Sequence, residues 1–134
     1  MYQSSRYQSN YEYYPPPKLL PIIEHSISVY KLWHEYRDHF PKKSRYTLGD
    51  KVDLLFIEIA ELLWAASYQG KDEKLVSIVE AIRKLDALKF LLRVSWEIKV
   101  LDNQKYAVLS ERLFEIGKML GGWKRGLDTK TPAR

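Results

Sequence analysis

The sequence predicts an all-α protein, an up-down-up-down four-helix bundle. Apolar residues recur at three- and four-residue spacings through most of the chain, which is the pattern of a buried stripe on a helix. β-Branched residues never alternate with polar ones over the length of a strand, and the Asn-Gly and Asp-Gly pairs typical of hairpins are missing. Short segments between the helices make consecutive helices antiparallel neighbours. No repeat of roughly 34 or 40 residues is visible, which disfavours a helical solenoid.

The two ends of the chain differ in composition from its centre. Residues 1–18 hold five tyrosines, polar spacers and the three prolines Pro15–Pro17, so we predict a disordered Tyr/Pro-rich arm. Two interpretations of this arm stay open: a dispensable tail, or a segment that orders on a partner with its tyrosines stacked on bases or packed in a groove. The predicted bundle covers residues 19–125, and residues 126–134 are predicted to be a short, disordered basic tail.

The first two predicted helices have recognisable boundary signals. The first begins at Pro21, because a missing N–H costs nothing in the first turn of a helix, and runs to about His39. The second covers about residues 48–69, with Thr47 as its N-cap and Gly70 as its end. The core-facing residues expected on the first helix are Ile22, Ile23, Ile27, Tyr30, Leu32, Trp33 and Tyr36, and those on the second are Leu48, Val52, Leu55, Ile59, Leu62, Leu63 and Ala66.

The third and fourth predicted helices are connected by only a few residues. The third covers about residues 72–101, and a turn as short as the one before it makes it an antiparallel neighbour of the second. The fourth begins after Asp102 or Asn103, either of which is suited to cap it. The expected core stripe is Leu85, Leu88, Leu92 and Trp96 on the third helix and Tyr106, Leu109, Leu113, Ile116, Leu120 and Trp123 on the fourth.

No motif supports an enzyme. The absence of cysteine excludes disulfides, zinc knuckles and thiol catalysis. No histidine stands three residues after a glutamate, as di-iron bundles require, and His34-Glu35 lacks the second histidine of a zinc-protease motif. Asp50, Asp53 and Glu58 are interpreted as a solvated salt-bridge face and not as an acid/base pair. We therefore expect no catalytic residue, no metal, no cofactor and no small-molecule substrate.

The chain has no expected contact with a membrane. Its N-terminus lacks the basic and apolar regions of a secretory signal, and no run approaches the roughly 20 apolar residues of a membrane span. A cytoplasmic location is the expectation. The formal net charge of +5 permits an acidic partner such as nucleic acid. Lysine stems that cover apolar helix flanks are the structural alternative for the same cations.

Aromatic residues indicate an interface. The chain has four tryptophans, and a bundle this narrow cannot bury all of them within one protomer. Tyrosine and tryptophan are enriched where proteins meet, so a homo-oligomer or a docked partner is expected. Core burial stays the alternative for any one of Trp33, Trp64, Trp96 and Trp123.

Three short motifs resemble a known superfamily: IGKMLGGW at residues 116–123, KFLLR at residues 89–93 and FPKK at residues 40–43. They resemble the four-helix-bundle proteins that include Avd, the accessory variability determinant of diversity-generating retroelements. The same superfamily holds the proteins encoded in intervening sequences of bacterial large-subunit ribosomal RNA genes. The resemblance covers about residues 20–125, and the Avd-like branch is favoured.

The resemblance implies a homopentameric barrel of four-helix protomers that binds RNA or DNA and the reverse transcriptase of the element. Its role would be non-enzymatic support of mutagenic copying of template RNA into variable-region DNA. In this resemblance Gly121 and Gly122 are small residues that admit a close neighbour, and Trp123 supplies an anchoring ring beside them. The chain departs from the strongly basic family pattern in its modest charge and in its arm. The residues expected to contact phosphate are Lys42, Lys43, Arg45, Lys84, Lys89 and Arg93.

The alternative is a homo-oligomeric scaffold of the intervening-sequence type. Such a protein would have a protein partner and no role with nucleic acid. A titration with a mixed-sequence RNA at low and high salt separates the two interpretations, because absence of binding at low salt favours the scaffold.

Overall fold

The computed structural model describes residues 18–129. Four long helices follow one another in this range: α1 (Pro21–Arg37), α2 (Asp50–Ala66), α3 (Lys71–Glu97) and α4 (Asn103–Thr129). Each helix packs against the next and α4 also packs against α1, so the four close into a bundle. No strand occurs in residues 18–129. The predicted all-α four-helix bundle is confirmed; residues 1–17 of the predicted arm and 130–134 of the predicted tail lie outside the described residues.

A single apolar core runs through the bundle. Trp33 is 0% exposed, stacks on Phe56 with ring centroids 5.7 Å apart, and meets Phe40 edge-on at 5.3 Å. Burial of each large apolar side chain contributes roughly 1.5–3 kcal/mol. The predicted stripes supply most of this core: Val52, Leu55, Ile59, Leu63 and Ala66 of α2, Leu85, Leu88 and Leu92 of α3, and Leu109, Leu113, Ile116 and Leu120 of α4.

The connection between α1 and α2 is helical and not a loop. Lys42–Ser44 form an α-helical turn, and Arg45–Gly49 form a π-helical turn that runs directly into α2. Thr47 therefore does not cap α2, and its hydroxyl instead donates to the carbonyl of Ser44 at 3.4 Å. The helix restarts this early because Pro41, with extended ψ 144°, breaks the chain direction immediately before the new first turn.

Asp53 connects α1 to α2 through polar contacts. Its Oδ1 accepts hydrogen bonds from the Tyr30 hydroxyl at 2.9 Å and from Trp33 Nε1 at 3.0 Å, and Arg37 Nη1 lies 3.5 Å from Oδ2. The expectation of a solvated face is wrong for Asp53, whose side chain is only 16% exposed because α1 packs over it. Burial and the hydrogen bond to Asp53 raise the pKa of the Tyr30 hydroxyl.

The end of α3 is set by Lys99. This residue has a left-handed φ of 67°, so the helix stops at Glu97 and not at the predicted residue 101. The amides of Val100 and Leu101 then turn back and donate to the carbonyl of Ser95 at 3.0 and 3.2 Å. Leu101, which was expected at the end of the helix, is buried in the core beneath this turn.

Asp102, one of the two predicted candidates, caps α4. Its Oδ1 accepts a hydrogen bond from the backbone N–H of Lys105 at 2.8 Å, and its Oδ2 lies 3.1 Å from Lys105 Nζ. The backbone hydrogen bond, followed by that from the Lys105 side chain, lowers the pKa of Asp102.

The last turn of α4 extends past the predicted boundary at residue 125, to Thr129. Gly126 does not end the helix, because Leu127 packs against the core on the far side of it. Lys124 Nζ also pairs with Asp128 Oδ2 at 3.3 Å across one turn.

Candidate nucleic-acid interface

The six cations predicted to contact phosphate lie in two parts of the bundle. Three lie in the helical turns before α2 and three lie on α3, and no hydrogen bond or ion pair of residues 18–129 joins the two groups. In the first group Lys42 and Lys43 are exposed, and neither has an ion pair within the described range. The first group is Lys42, Lys43 and Arg45, and the second is Lys84, Lys89 and Arg93.

The guanidinium of Arg45 donates hydrogen bonds to carbonyl groups that follow the end of α1. Its Nη2 donates to the carbonyl of Phe40 at 3.0 Å and to that of Asp38 at 3.2 Å, and its Nε is buried without a hydrogen-bond partner. Carbonyls that follow the last turn of a helix lack intrahelical donors, so this guanidinium satisfies groups that would otherwise be unpaired. Arg45 thus has a structural role in the turn that presents Lys42 and Lys43.

Lys84 is directed toward α2. Its ammonium lies 3.1 Å from Glu58 Oε1 and 3.7 Å from Glu80 Oε2. Both carboxylates offset its charge, and the Glu58 pair joins α3 to α2. Of the three cations predicted on α3, Lys84 is the one whose neighbours leave it least charge for a phosphate.

Lys89 lies where α3 contacts α4 beside Gly117. A Cβ added to Gly117 of α4 would lie 3.5 Å from Lys89 Nζ, so the lysine side chain extends over this glycine. Within the described chain Lys89 has no ion pair. A Cβ added to Gly121 or Gly122 would meet only the Arg125 guanidinium of the same helix, at 3.4 and 3.8 Å. Of Gly117, Gly121 and Gly122, only Gly117 faces a neighbouring helix within residues 18–129.

The two helices that make this contact also carry exposed aromatic rings. Phe90, which follows Lys89, is 64% exposed, and Phe114, one turn before Gly117, is 57% exposed. Lys118 Nζ lies 5.4 Å from the centroid of the Phe114 ring. We name the surface formed by Lys89, Phe90, Arg93, Phe114 and Lys118 the α3/α4 face. It combines cations for phosphate with open rings on which bases can stack.

The two ion pairs on the α3/α4 face are weak. Arg93 Nε lies 2.8 Å from Glu97 Oε2 and Lys118 Nζ lies 3.6 Å from Glu115 Oε2, each within one helix and with both partners about half exposed. Solvent screens such pairs, so a phosphate group can replace the carboxylate. The hydrogen bond to Glu97 raises the pKa of Arg93 further above its usual value, and the guanidinium stays charged.

Charge is distributed unequally between the two halves of the bundle. Helices α3 and α4 carry eleven basic and eight acidic residues, a net +3, whereas α1 and α2 carry three basic and six acidic residues, a net −3. The modest charge of the whole chain therefore conceals a dipolar arrangement. A polyanion is attracted to the α3–α4 side and to the turn before α2 that carries Lys42, Lys43 and Arg45, and it is repelled from the helices α1 and α2 themselves.

Phe90, Phe114 and Lys118 were not among the predicted contacts. Phe114 and Lys118 stand four residues apart on α4, so they share one face, which is offset from the buried stripe that contains Leu113 and Ile116. An exposed ring next to a cation on that offset face was a readable signal. It is easily missed, because an apolar residue near a core stripe is normally taken for part of the core.

Residues 18–129 offer neither a membrane-spanning helix nor a metal-binding cluster. None of the helices there is both long and apolar enough to pass through a lipid bilayer. No three histidine, aspartate or glutamate side chains of this range converge in a way that could hold a metal ion.

Comparison with known proteins places the chain in a family. A sequence model of the bAvd-like family matches residues 22–127, a range that covers nearly all of the bundle and excludes the arm. No curated protein matches the chain. The match agrees with the resemblance of the three short motifs and with the four-helix bundle. The chain therefore belongs to the bAvd-like family.

Proposed function

We propose that the protein is a non-catalytic accessory factor of a diversity-generating retroelement, which binds the reverse transcriptase of the element and RNA or cDNA during mutagenic copying. Membership of the bAvd-like family supports the accessory role. The observation that carries the nucleic-acid part is the α3/α4 face, where Phe90 and Phe114 are exposed among three cations on the positive side of the bundle.

The mechanism is positioning. Lys89, Arg93 and Lys118 bind phosphates, while the two phenylalanine rings stack on unpaired bases. Lys42 and Lys43 add a second point of contact at the turn before α2. In a cytoplasmic homo-oligomer, for which we favour a pentamer, the face is repeated on every protomer, and contacts that are weak singly act together on one strand.

The test is an RNA titration with charge-matched variants. Arg93→Gln with Lys118→Gln removes two charges from the α3/α4 face, and Lys31→Gln with Lys51→Gln removes two charges from exposed positions of α1 and α2. With a mixed-sequence single-stranded RNA, the first pair should reduce the slope of log affinity against log salt by about 1.4, since each lost phosphate contact removes about 0.7. The second pair should leave the slope unchanged.

The aromatic part of the face has its own variant. Phe90→Ser with Phe114→Ser should weaken RNA binding at every salt concentration and leave the salt slope unchanged, because stacking releases no counterions. If the Arg93/Lys118 pair and the Lys31/Lys51 pair change the salt slope equally, the assignment of RNA binding to the α3/α4 face is contradicted. Absence of binding by the unmodified protein at low salt would instead favour the protein-only scaffold.

The reverse transcriptase is tested separately. We expect an adjacent reverse-transcriptase gene and a near-repeat pair of sequences beside the gene for this protein. Co-expression of that reverse transcriptase should yield a complex on gel filtration, with its mass measured by light scattering. No complex in the presence or absence of template RNA would contradict this part of the proposal.

A further inference from the structure

An apolar groove lies between α1 and α2, at the end of the bundle where α1 begins. Leu19, Ile23 and Ile27 line one side, and Ala60 and Trp64 line the other. We name these five residues the α1/α2 groove. The cavity measures about 300 Å³ and adjoins a second of about 470 Å³, with which it shares Leu19, Ile23 and Trp64. No described residue covers the exposed half of Trp64.

Two aromatic rings stand at the edge of this groove. Trp64 is 51% exposed and Tyr68, one helical turn further on, is 68% exposed. The rings meet edge-on with centroids 5.8 Å apart. Adjacent exposed rings of this kind are what proline-rich segments recognise, because a polyproline II helix presents its rings to aromatic side chains at no further cost in conformational entropy.

The chain enters the described structure at this groove. Lys18, the first described residue, lines the adjoining cavity together with Trp64 and Ser67. Pro15–Pro17 immediately precede Lys18. Three residues of polyproline II span about 9 Å, and one helical turn separates neighbouring rings by about 5.4 Å. The three prolines are therefore long enough to contact both Trp64 and Tyr68.

We propose that Pro15–Pro17 dock on Trp64 and Tyr68 of the same chain, and that the tyrosines before them continue over the α1/α2 groove. Only Lys18 separates the prolines from the cavity, so their effective concentration at the rings is in the millimolar range or above. RNA is a poor occupant of this groove, because α1 and α2 carry a net charge of −3. The arm precedes the matched residues 22–127, so its docking is independent of the proposed function.

Acrylamide quenching of tryptophan fluorescence tests the docking in the full chain. The arm variant carries Pro15→Ser, Pro16→Ser and Pro17→Ser, and the matched control carries Gln3→Ser, Gln8→Ser and Asn10→Ser in the same arm. Each protein is compared with a counterpart that carries Trp64→Phe, and the difference isolates the quenching of Trp64. Far-UV circular dichroism verifies that helix content is unchanged, as expected since every substituted arm residue precedes α1 in the sequence.

We expect the quenching constant of Trp64 to rise about twofold in the proline variant and to stay unchanged in the control. Equal quenching in all three proteins overturns the proposal. If the quenching constant of Trp64 is equally low with and without the prolines and rises on dilution, a second copy of the chain covers the groove, which also overturns the proposal. If the protection requires the prolines and disappears on dilution, the arm of a neighbouring protomer is the occupant, which overturns docking within one chain.

Discussion

Replacement of Asp53 by alanine should remove the polar connection between α1 and α2. The Asp53 carboxylate accepts hydrogen bonds from the Tyr30 hydroxyl at 2.9 Å and from Trp33 Nε1 at 3.0 Å. Trp33 is 0% exposed, so its N–H has no route to water once the carboxylate is gone. A buried donor without a partner costs about 1–3 kcal/mol, and the lost hydrogen bond from Tyr30 adds to it, so the free energy of unfolding should fall by about 2–3 kcal/mol.

The assay is urea denaturation followed by far-UV circular dichroism. Asp53→Asn is the matched control, because it retains an acceptor oxygen for Trp33 and Tyr30 and loses the charge and the second oxygen, which faces Arg37. Its expected cost is about 1 kcal/mol. A double-mutant cycle isolates the indole contact: in a Trp33→Phe background, which has no N–H to leave unpaired, Asp53→Ala should cost at least about 1 kcal/mol less than in the unmodified protein.

Two results would refute this reasoning. If Asp53→Ala lowers the free energy of unfolding by less than about 0.5 kcal/mol, water reaches Trp33 Nε1 and the junction of α1 and α2 is open there. If the cost is large and is the same in the Trp33→Phe background, the stabilisation comes from Arg37 and Tyr30, and the buried indole is not its source.

Three further changes have expected outcomes. Lys99→Gly should raise the free energy of unfolding by about 1 kcal/mol in urea, because a left-handed φ of 67° strains every residue with a Cβ, whereas Lys99→Ala should give no gain. Gly117→Ala should raise the free energy of unfolding by about 0.5–1 kcal/mol through helix propensity, since the added Cβ would lie at an ordinary contact distance, 3.5 Å, from α3. A lower free energy of unfolding would show that α3 and α4 cannot accommodate the added methyl group. The lowered pKa of Asp102 contributes stability at pH values above its unfolded pKa near 4, and this stability is lost as pH falls through the folded pKa. In thermal melts between pH 2 and 7, Asp102→Asn should therefore lose less stability toward acid than the unmodified protein. Parallel curves of melting temperature against pH for the two proteins would contradict this.

Helices and core were readable from the sequence because apolar spacing decides both. Leu109, Leu113, Ile116 and Leu120 follow that spacing, and all four are buried. Helix ends were less readable, since contacts distant in sequence set them. Lys99 carries no signal for a left-handed turn, which accompanies the burial of Leu101 two residues later. Gly126 looks like a helix end until Leu127 is seen against the core.

The candidate site was only partly predictable from the sequence. Cations that are close together in sequence can point in different directions around the helix axis. Lys84 and Lys89 stand five residues apart, which places them about 140° apart around α3. Lys84 consequently pairs with Glu58 of α2, whereas Lys89 extends over Gly117 of α4. Which helix a side chain contacts depends on how all four helices pack, and the sequence of α3 alone does not give that packing.

The same geometry places the two proposed surfaces on opposite sides of the bundle. The helices contact one another in the cyclic order α1, α2, α3, α4, so the α1/α2 groove and the α3/α4 face have no helix in common. Loss of the docked arm should therefore leave RNA affinity and its salt slope unchanged in the Pro15–Pro17 variant. Conversely, Arg93→Gln with Lys118→Gln should leave the quenching of Trp64 unaltered. A change of RNA affinity in the proline variant would mean that the arm itself contacts RNA, as the stacking interpretation of its tyrosines requires. It would also place RNA beside the negatively charged helices α1 and α2.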